Sequence, residues 1–233
     1  MKTSLLSMVF AFMALLMSSY AFASENPFEN YRYDPFQFPY KEYYYTADVV
    51  PLTPTSKASG VPLDLFGLSA ALPAKYMGEL DRKSNTQIQV RSEHGLVILR
   101  YEEDDMMGCR NEKARAGNLD FCSAFKSTRE FYQKLFTLTP DNAGTPVKRG
   151  DLWVLHEKGV FFEHAEKIRI YEGQEITGYA KAFTTPEWKI RQEVVIFHDQ
   201  IPKKGYIVMA TTIDDDSMVT ALLSSLKPMS GEK

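Results

Sequence analysis

The chain has 233 residues, with 27 basic and 30 acidic side chains and a formal net charge of −3 at pH 7. Proteins that bind nucleic acid need a clustered basic face to neutralise phosphates. The mildly acidic composition therefore argues against nucleic acid as a partner and against electrostatic binding to a membrane surface. The length is sufficient for one well-formed core, in one domain or two small ones.

Residues 1–23 predict a cleaved signal peptide. Lys2 supplies the positive charge, residues 5–17 are almost wholly apolar, and Ala-Phe-Ala at 21–23 places small residues where a signal peptidase reads. The apolar run is shorter than the roughly 20 residues that a transmembrane helix needs. We therefore expect cleavage near Ala23 and a periplasmic or secreted protein, with no transmembrane segment after cleavage.

Residues 24–61 predict an extended arm and linker. Positions 26–45 hold nine Phe or Tyr residues and three Pro among twenty, and proline favours extended backbone. Nine aromatic rings left in water would promote aggregation. They are covered either by the chain's own domain or by a partner, namely another envelope protein or a second copy; a disordered tail is the third alternative. The candidate partner-binding residues are Phe28, Tyr31, Tyr33, Phe36, Phe38, Tyr40, Tyr43, Tyr44 and Tyr45.

Residues 62–228 predict a single α+β domain, followed by a tail at 229–233. LFGLSAALP at 65–73 is typical of a short strand that Pro73 ends. The alternating residues 86–92 and the apolar run 95–102 predict a β-hairpin.

The two cysteines, Cys109 and Cys122, predict one disulfide bond, because an exported protein meets an oxidising compartment. The bond would close a polar loop and stabilise it by about 3 kcal/mol in the chain-entropy model. A reactive thiol is the alternative, since Cys122 lies near a predicted helix start.

Residues 118–142 predict an amphipathic helix, with Asp120 as its N-cap and Pro140 as its stop. Its aromatic face is expected to pack on a sheet. That face comprises Phe121, Phe125, Tyr132, Leu135 and Phe136.

The second half of the chain predicts consecutive strands and a closing helix. The connections are too short for helical crossovers, so neighbouring strands should be antiparallel. The closing helix, at 214–228, carries Met218, Leu222 and Leu226 on one face. The predicted strands are 151–157, 159–164, 167–173, 175–184, 188–199 and 205–212.

Motifs for catalysis, metals and cofactors do not emerge from the pattern. His156-Glu157 begins like a zinc-protease motif, but Val160 stands where the second histidine should be. The acidic run at 102–105 lacks the alternating spacing of a calcium loop, and the chain has no glycine-rich phosphate loop. We therefore predict no catalytic residue, no metal and no cofactor.

The order of elements resembles the Mog1/PsbP fold, which includes bacterial envelope proteins of the DcrB type. The resemblance rests on FGLSAALPAKY at 66–76, on the aromatic helix near 121–137 and on YIVMATTIDDDSMVTALLSSLKP at 206–228. It covers about residues 62–228 and none of the arm. It implies a layered sandwich of an antiparallel meander and helices, and a role in binding or assembly without catalysis.

Two functional hypotheses follow. The favoured one is an exported, non-enzymatic binding or assembly protein of the bacterial cell envelope that acts on a polypeptide partner. The alternative is an exported hydrolase or small-molecule binding protein with a cleft beside the sheet.

Overall fold

A central sheet, buried on both faces along its middle strands, organises this computed structural model. The structure describes residues 45–54, 60–92, 96–102, 125–143, 148–183, 191–210 and 216–229. The strands are β1 (Asp48–Pro51), β2 (Val61–Asp64), β3 (Leu68–Leu72), β4 (Glu79–Ser84), β5 (Gln87–Arg91), β6 (Leu96–Glu102), β7 (Ala165–Glu172), β8 (Ile176–Phe183), β9 (Gln192–His198), β10 (Lys204–Ala210) and β11 (Lys227–Pro228). The α-helices are α1 (Thr128–Thr137), α2 (Arg149–Phe161) and α3 (Asp216–Ser225).

Two sheets organise these strands. The larger has eight strands in the order β1-β7-β8-β9-β10-β6-β5-β4, and the smaller has the order β11-β3-β2. The successive strands β7 to β10 form the antiparallel meander expected from the sequence, and β5 and β6 form the expected hairpin. Strand β1, which that expectation did not cover, runs parallel to β7. The two belong to distant parts of the chain, so no short turn dictates their direction.

One face of the large sheet packs against α3 and the small sheet. The helix places Met218 and Leu222 in this core, and Leu226 follows directly after it, each at most 5% exposed, as the apolar spacing predicts. The closing helix predicted at 214–228 is too long, because α3 ends at Ser225 and Lys227–Pro228 form β11. Helix α3 approaches the sheet closely at Gly178, where a Cβ atom would lie 3.0 Å from a methyl carbon of Leu223. Glycine in β8 therefore sets how near α3 can pack.

The opposite face of the large sheet packs against the aromatic side chains of α1 and α2. Tyr132 of α1 contacts Tyr179 and Phe197 of the sheet, with ring centroids 6.2 and 6.0 Å apart. Phe136 lies 5.1 Å from the Tyr179 ring. The predicted aromatic helix therefore does lie on the sheet. The layers together confirm the α+β class.

The start of α1 differs from the prediction. Its N-cap is Ser127, whose hydroxyl accepts a hydrogen bond of 3.1 Å from the amide of Glu130. Residues 125–127 are outside the helix, so it does not run back continuously to Asp120, which lies outside the described residues. The helix ends at Thr137, close to the expected stop at Pro140.

The strands expected at 151–157 and 159–164 are wrong, because α2 spans Arg149–Phe161. Among the side chains of this segment that the structure describes, the buried ones share one helical face, since they are spaced three or four apart. Two of them are charged, so a reading by hydropathy does not detect the face. They are Asp151, Val154, Leu155, Lys158 and Phe162.

The described end of the predicted arm and linker belongs to the folded domain. Residues 48–51 form β1, and Leu52 is only 8% exposed in the core. Eight aromatic residues of the arm, at 28–44, and both cysteines, Cys109 and Cys122, lie outside the described residues. None of the helices in the described ranges is long and apolar enough to cross a bilayer.

Candidate functional site

The site is built where the arm enters the domain, at Tyr45. Its half-buried ring lies 5.5 Å from the ring of Phe162, tilted by 57°. Its backbone carbonyl accepts a hydrogen bond of 2.8 Å from the amine of Lys158. Tyr45 is the one predicted partner-binding residue within the described ranges, and the structure places it against its own domain.

Lys158 is the central polar group of this site. It is 0% exposed, and its Nζ also donates to the carbonyl oxygen of Leu138, at 2.5 Å. Burial lowers the pKa of its ammonium from the ordinary 10.5 to about 8. Both acceptors are carbonyl oxygens, which carry partial rather than full negative charge. The lysine is therefore charged at neutral pH, yet its charge is incompletely compensated.

Two helices hold Lys158 in place. Leu138 is the C-cap of α1, so the lysine binds one of the carbonyls that a helix end leaves without a partner inside the helix. An ion pair of 2.6 Å between Lys134 and Asp151 also joins α1 to α2. The position of the amine is thus fixed by both helices.

A base of aromatic rings lies beneath Tyr45. Phe162 is fully buried and meets Phe136 at 4.9 Å and Phe161 at 5.1 Å between ring centroids. The amine of Lys181 lies 3.6 Å from the centroid of the Phe161 ring, a cation–π contact. The Phe162 ring, which contacts Tyr45, is therefore held in place by the packing of Phe136 and Phe161 against it.

Beyond Tyr45 the chain joins the sheet. Strand β1 pairs with residues 169–172 of β7, and the amide of Leu52 donates a 2.7 Å hydrogen bond to the carbonyl of Glu172. Leu52 packs beside Gly173, where a Cβ atom would meet it at an ordinary 3.5 Å. We call residues 45–52 the arm root. The surface that holds them, namely Lys158, Phe162, residues 169–172 and Gly173, we call the arm groove.

A second polar cluster surrounds His198 at the end of β9. The imidazole is 2% exposed, and its Nδ1 accepts a 3.2 Å hydrogen bond from the amide of Gln200. Burial lowers the pKa of this histidine. The neighbouring carboxylates have other partners: Arg129 binds Asp199 at 2.6 Å, and the Gln200 side chain binds Glu175 at 2.7 Å. These contacts join α1 to the turn between β7 and β8 and to the turn after β9, so the cluster stabilises the fold.

Two further histidines, His156 and His164, lie within the described residues. His156 lies within α2 and not on a strand. His164 is exposed, with a left-handed backbone φ of 64°, and its Nε2 is 3.6 Å from a carboxylate oxygen of Glu163. In the described part of the chain, no three His, Cys, Asp or Glu side chains are grouped so as to hold a metal ion.

Sequence reasoning missed Lys158, which lies between the strands predicted at 151–157 and 159–164. The available sign was its spacing of three and four residues from Leu155 and Val154 on one helical face. Neither a protein-family model nor a curated protein matches this chain.

Proposed function

We propose that this protein is an exported, non-enzymatic binding or assembly protein of the bacterial cell envelope, with a Mog1/PsbP-like domain and an aromatic arm that binds a polypeptide partner. The signal peptide predicted at 1–23 and the composition of residues 24–44 support export and a role for the arm in recognition.

The observation that carries the proposal is the anchoring of the arm root. Lys158 binds the Tyr45 carbonyl, Phe162 supports its ring, and β1 joins the sheet edge. Residues 26–44, with eight of the nine aromatic rings, are therefore attached at a fixed point of a packed domain.

Site-specific photo-crosslinking tests the proposal. A photoreactive amino acid replaces Phe36 or Tyr40 in the arm, and the matched control places it at Val49, which is 57% exposed on β1. The protein is present as a mixture of light and heavy isotope versions. A crosslink that joins a light peptide to a heavy one connects two copies, whereas a crosslink within one chain joins peptides of the same isotope version. We expect Phe36 and Tyr40 to link to one recurrent polypeptide, which Val49 does not capture.

Bonds from both arm positions to their own chain alone would overturn the proposal. That result would make the arm a strap over its own domain. A recurrent bond to a second copy would support it and identify the partner as another molecule of this chain.

A further inference from the structure

Four of the described strands lie at the edges of the two sheets. They are β1 and β4 in the large sheet, and β2 and β11 in the small one. An edge strand presents backbone groups with which another chain can pair, by strand addition or in aggregation. Three of these four strands contain a proline, which has no N–H to offer. The side on which each proline nitrogen lies therefore decides whether it closes an edge.

Pro51 of β1 has its nitrogen on the open side of the strand. The amide of the next residue, Leu52, donates to the carbonyl of Glu172 and therefore faces β7. Successive backbone amides of an extended strand point to opposite sides, so the nitrogen of Pro51 faces away from β7. The amide of Val49, two residues earlier, faces the same way. Proline thus removes one of the two amides that β1 (Asp48–Pro51) would turn outward.

Pro62 of β2 also has its nitrogen on the open side. It lies opposite Ala71 of β3. The Ala71 amide donates to the hydroxyl of Ser225 at 2.8 Å, and the Ala71 carbonyl accepts from the same hydroxyl at 3.1 Å. Opposite residues of antiparallel strands either bond to each other or both face away. Since Ala71 faces away from β2, Pro62 faces away from β3 and toward the edge.

Pro228 of β11 repeats this arrangement. The amide of the next residue, Met229, donates to the carbonyl of Gly67 at 2.9 Å, so the nitrogen of Pro228 faces away from β3. Leu68, which lies opposite Pro228, accepts from the amide of Leu65 on the β2 side. Both observations place the proline nitrogen on the outer side of β11.

The fourth edge strand, β4, has no proline and carries charges instead. Arg82 and Lys83 are exposed beside an irregularity in the pairing with β5. Leu80, which is 52% exposed, is flanked by Glu79 and Asp81. Charged side chains, lysine in particular, and bulges hinder the pairing of an edge strand with another chain.

We propose that Pro51, Pro62 and Pro228, together with the charges of β4, close the sheet edges of this protein to strand addition by another polypeptide. This closure goes beyond the proposed function, because it applies to any chain, a second copy included. A polypeptide partner then contacts the protein without adding a strand to either sheet.

Sedimentation velocity of the full mature chain over a range of concentrations tests the closure at β1. Pro51→Val restores the outward N–H and favours a strand, whereas Pro54→Val, at an exposed proline after β1, is the matched control. In an antiparallel pair of two β1 strands, residue 51 lies opposite Val49 of the other copy, so the restored amides add two hydrogen bonds. We expect Pro51→Val to lower the dimer dissociation constant about tenfold or more.

Hydrogen exchange locates the new contact, because the Val49 amide of Pro51→Val should become protected as the concentration rises. Pro62→Val gives a second test at β2, and circular dichroism confirms that the variants are folded. Self-association of either variant with protection at the substituted edge supports the closure. The proposal is overturned if neither folded variant associates more than Pro54→Val, or if the Val49 amide of the unsubstituted chain already becomes protected by self-association.

Discussion

A single buried lysine joins three parts of this protein that are distant in the sequence. Lys158 of α2 binds the end of α1 at Leu138 and the arm root at Tyr45. Burial of its charge costs free energy, because two carbonyl oxygens compensate only part of the hydration that the ammonium loses. Stability should therefore depend on pH through this residue.

The sign of that dependence follows from the pKa of about 8 in the folded protein and 10.5 as the ordinary value. Between these pH values the unfolded chain binds more protons than the folded one, so the free energy of unfolding rises with pH. Across that window the deprotonation of Lys158 raises the free energy of unfolding by about 3 kcal/mol.

We expect Lys158→Met to remove this rise when the free energy of unfolding is measured by denaturant titration at pH 7.5 and at pH 10.5. A matched control is Lys203→Met, an exposed lysine between β9 and β10. If Lys158→Met kept the same rise as the control, the charge assignment would be wrong.

At the scale of elements, the packing of α3 on the sheet depends on Gly178. A Cβ atom there would lie 3.0 Å from Leu223 and 3.4 Å from Val194. Both neighbours are buried, at 0% and 1% exposure, so neither has room to move. We expect Gly178→Ala to lower the free energy of unfolding by about 1–3 kcal/mol, as overpacking does. Gly173→Ala is the control, since its Cβ atom would meet Leu52 at 3.5 Å. Equal losses in the two variants would contradict this account of the interface.

Elements with a regular apolar pattern could be predicted from the sequence. The hairpin of β5 and β6, the meander from β7 to β10 and the buried face of α3 follow from local period and turn residues. Helix α2 could not, because its buried face includes Asp151 and Lys158, which pattern reading places in solvent. Their burial depends on partners far along the chain.

The site was harder to predict than the fold for the same reason. Aromatic composition made Tyr45 a candidate partner-binding residue, but composition does not show that its ring contacts Phe162 of its own domain. The parallel pairing of β1 with β7 joins positions about 120 residues apart, as Val49 and Ile170 illustrate. Long-range pairs of this kind leave no trace in the local sequence pattern.

At the scale of the whole molecule, the arm root belongs to the folded domain, and we call residues 24–44 the outer arm. Deleting residues 24–54 would remove β1, the buried Leu52 and one acceptor of Lys158. We expect that deletion to lower the free energy of unfolding by on the order of 3 kcal/mol.

Deleting residues 24–44 keeps all of those contacts, so it should leave the free energy of unfolding nearly unchanged in the same denaturant titrations. An equal loss for both deletions would mean that the outer arm stabilises its own domain. The pair of variants thus separates the two roles of the arm before any partner is identified.

The most direct test of the central claim compares the full chain with the deletion of residues 24–44 by chemical crosslinking and mass spectrometry in the native envelope. The account predicts that the full chain is linked to one polypeptide partner and that the folded deletion variant, at equal abundance, loses this link. Retention of the same partner by the deletion variant would contradict the claim that the arm binds it.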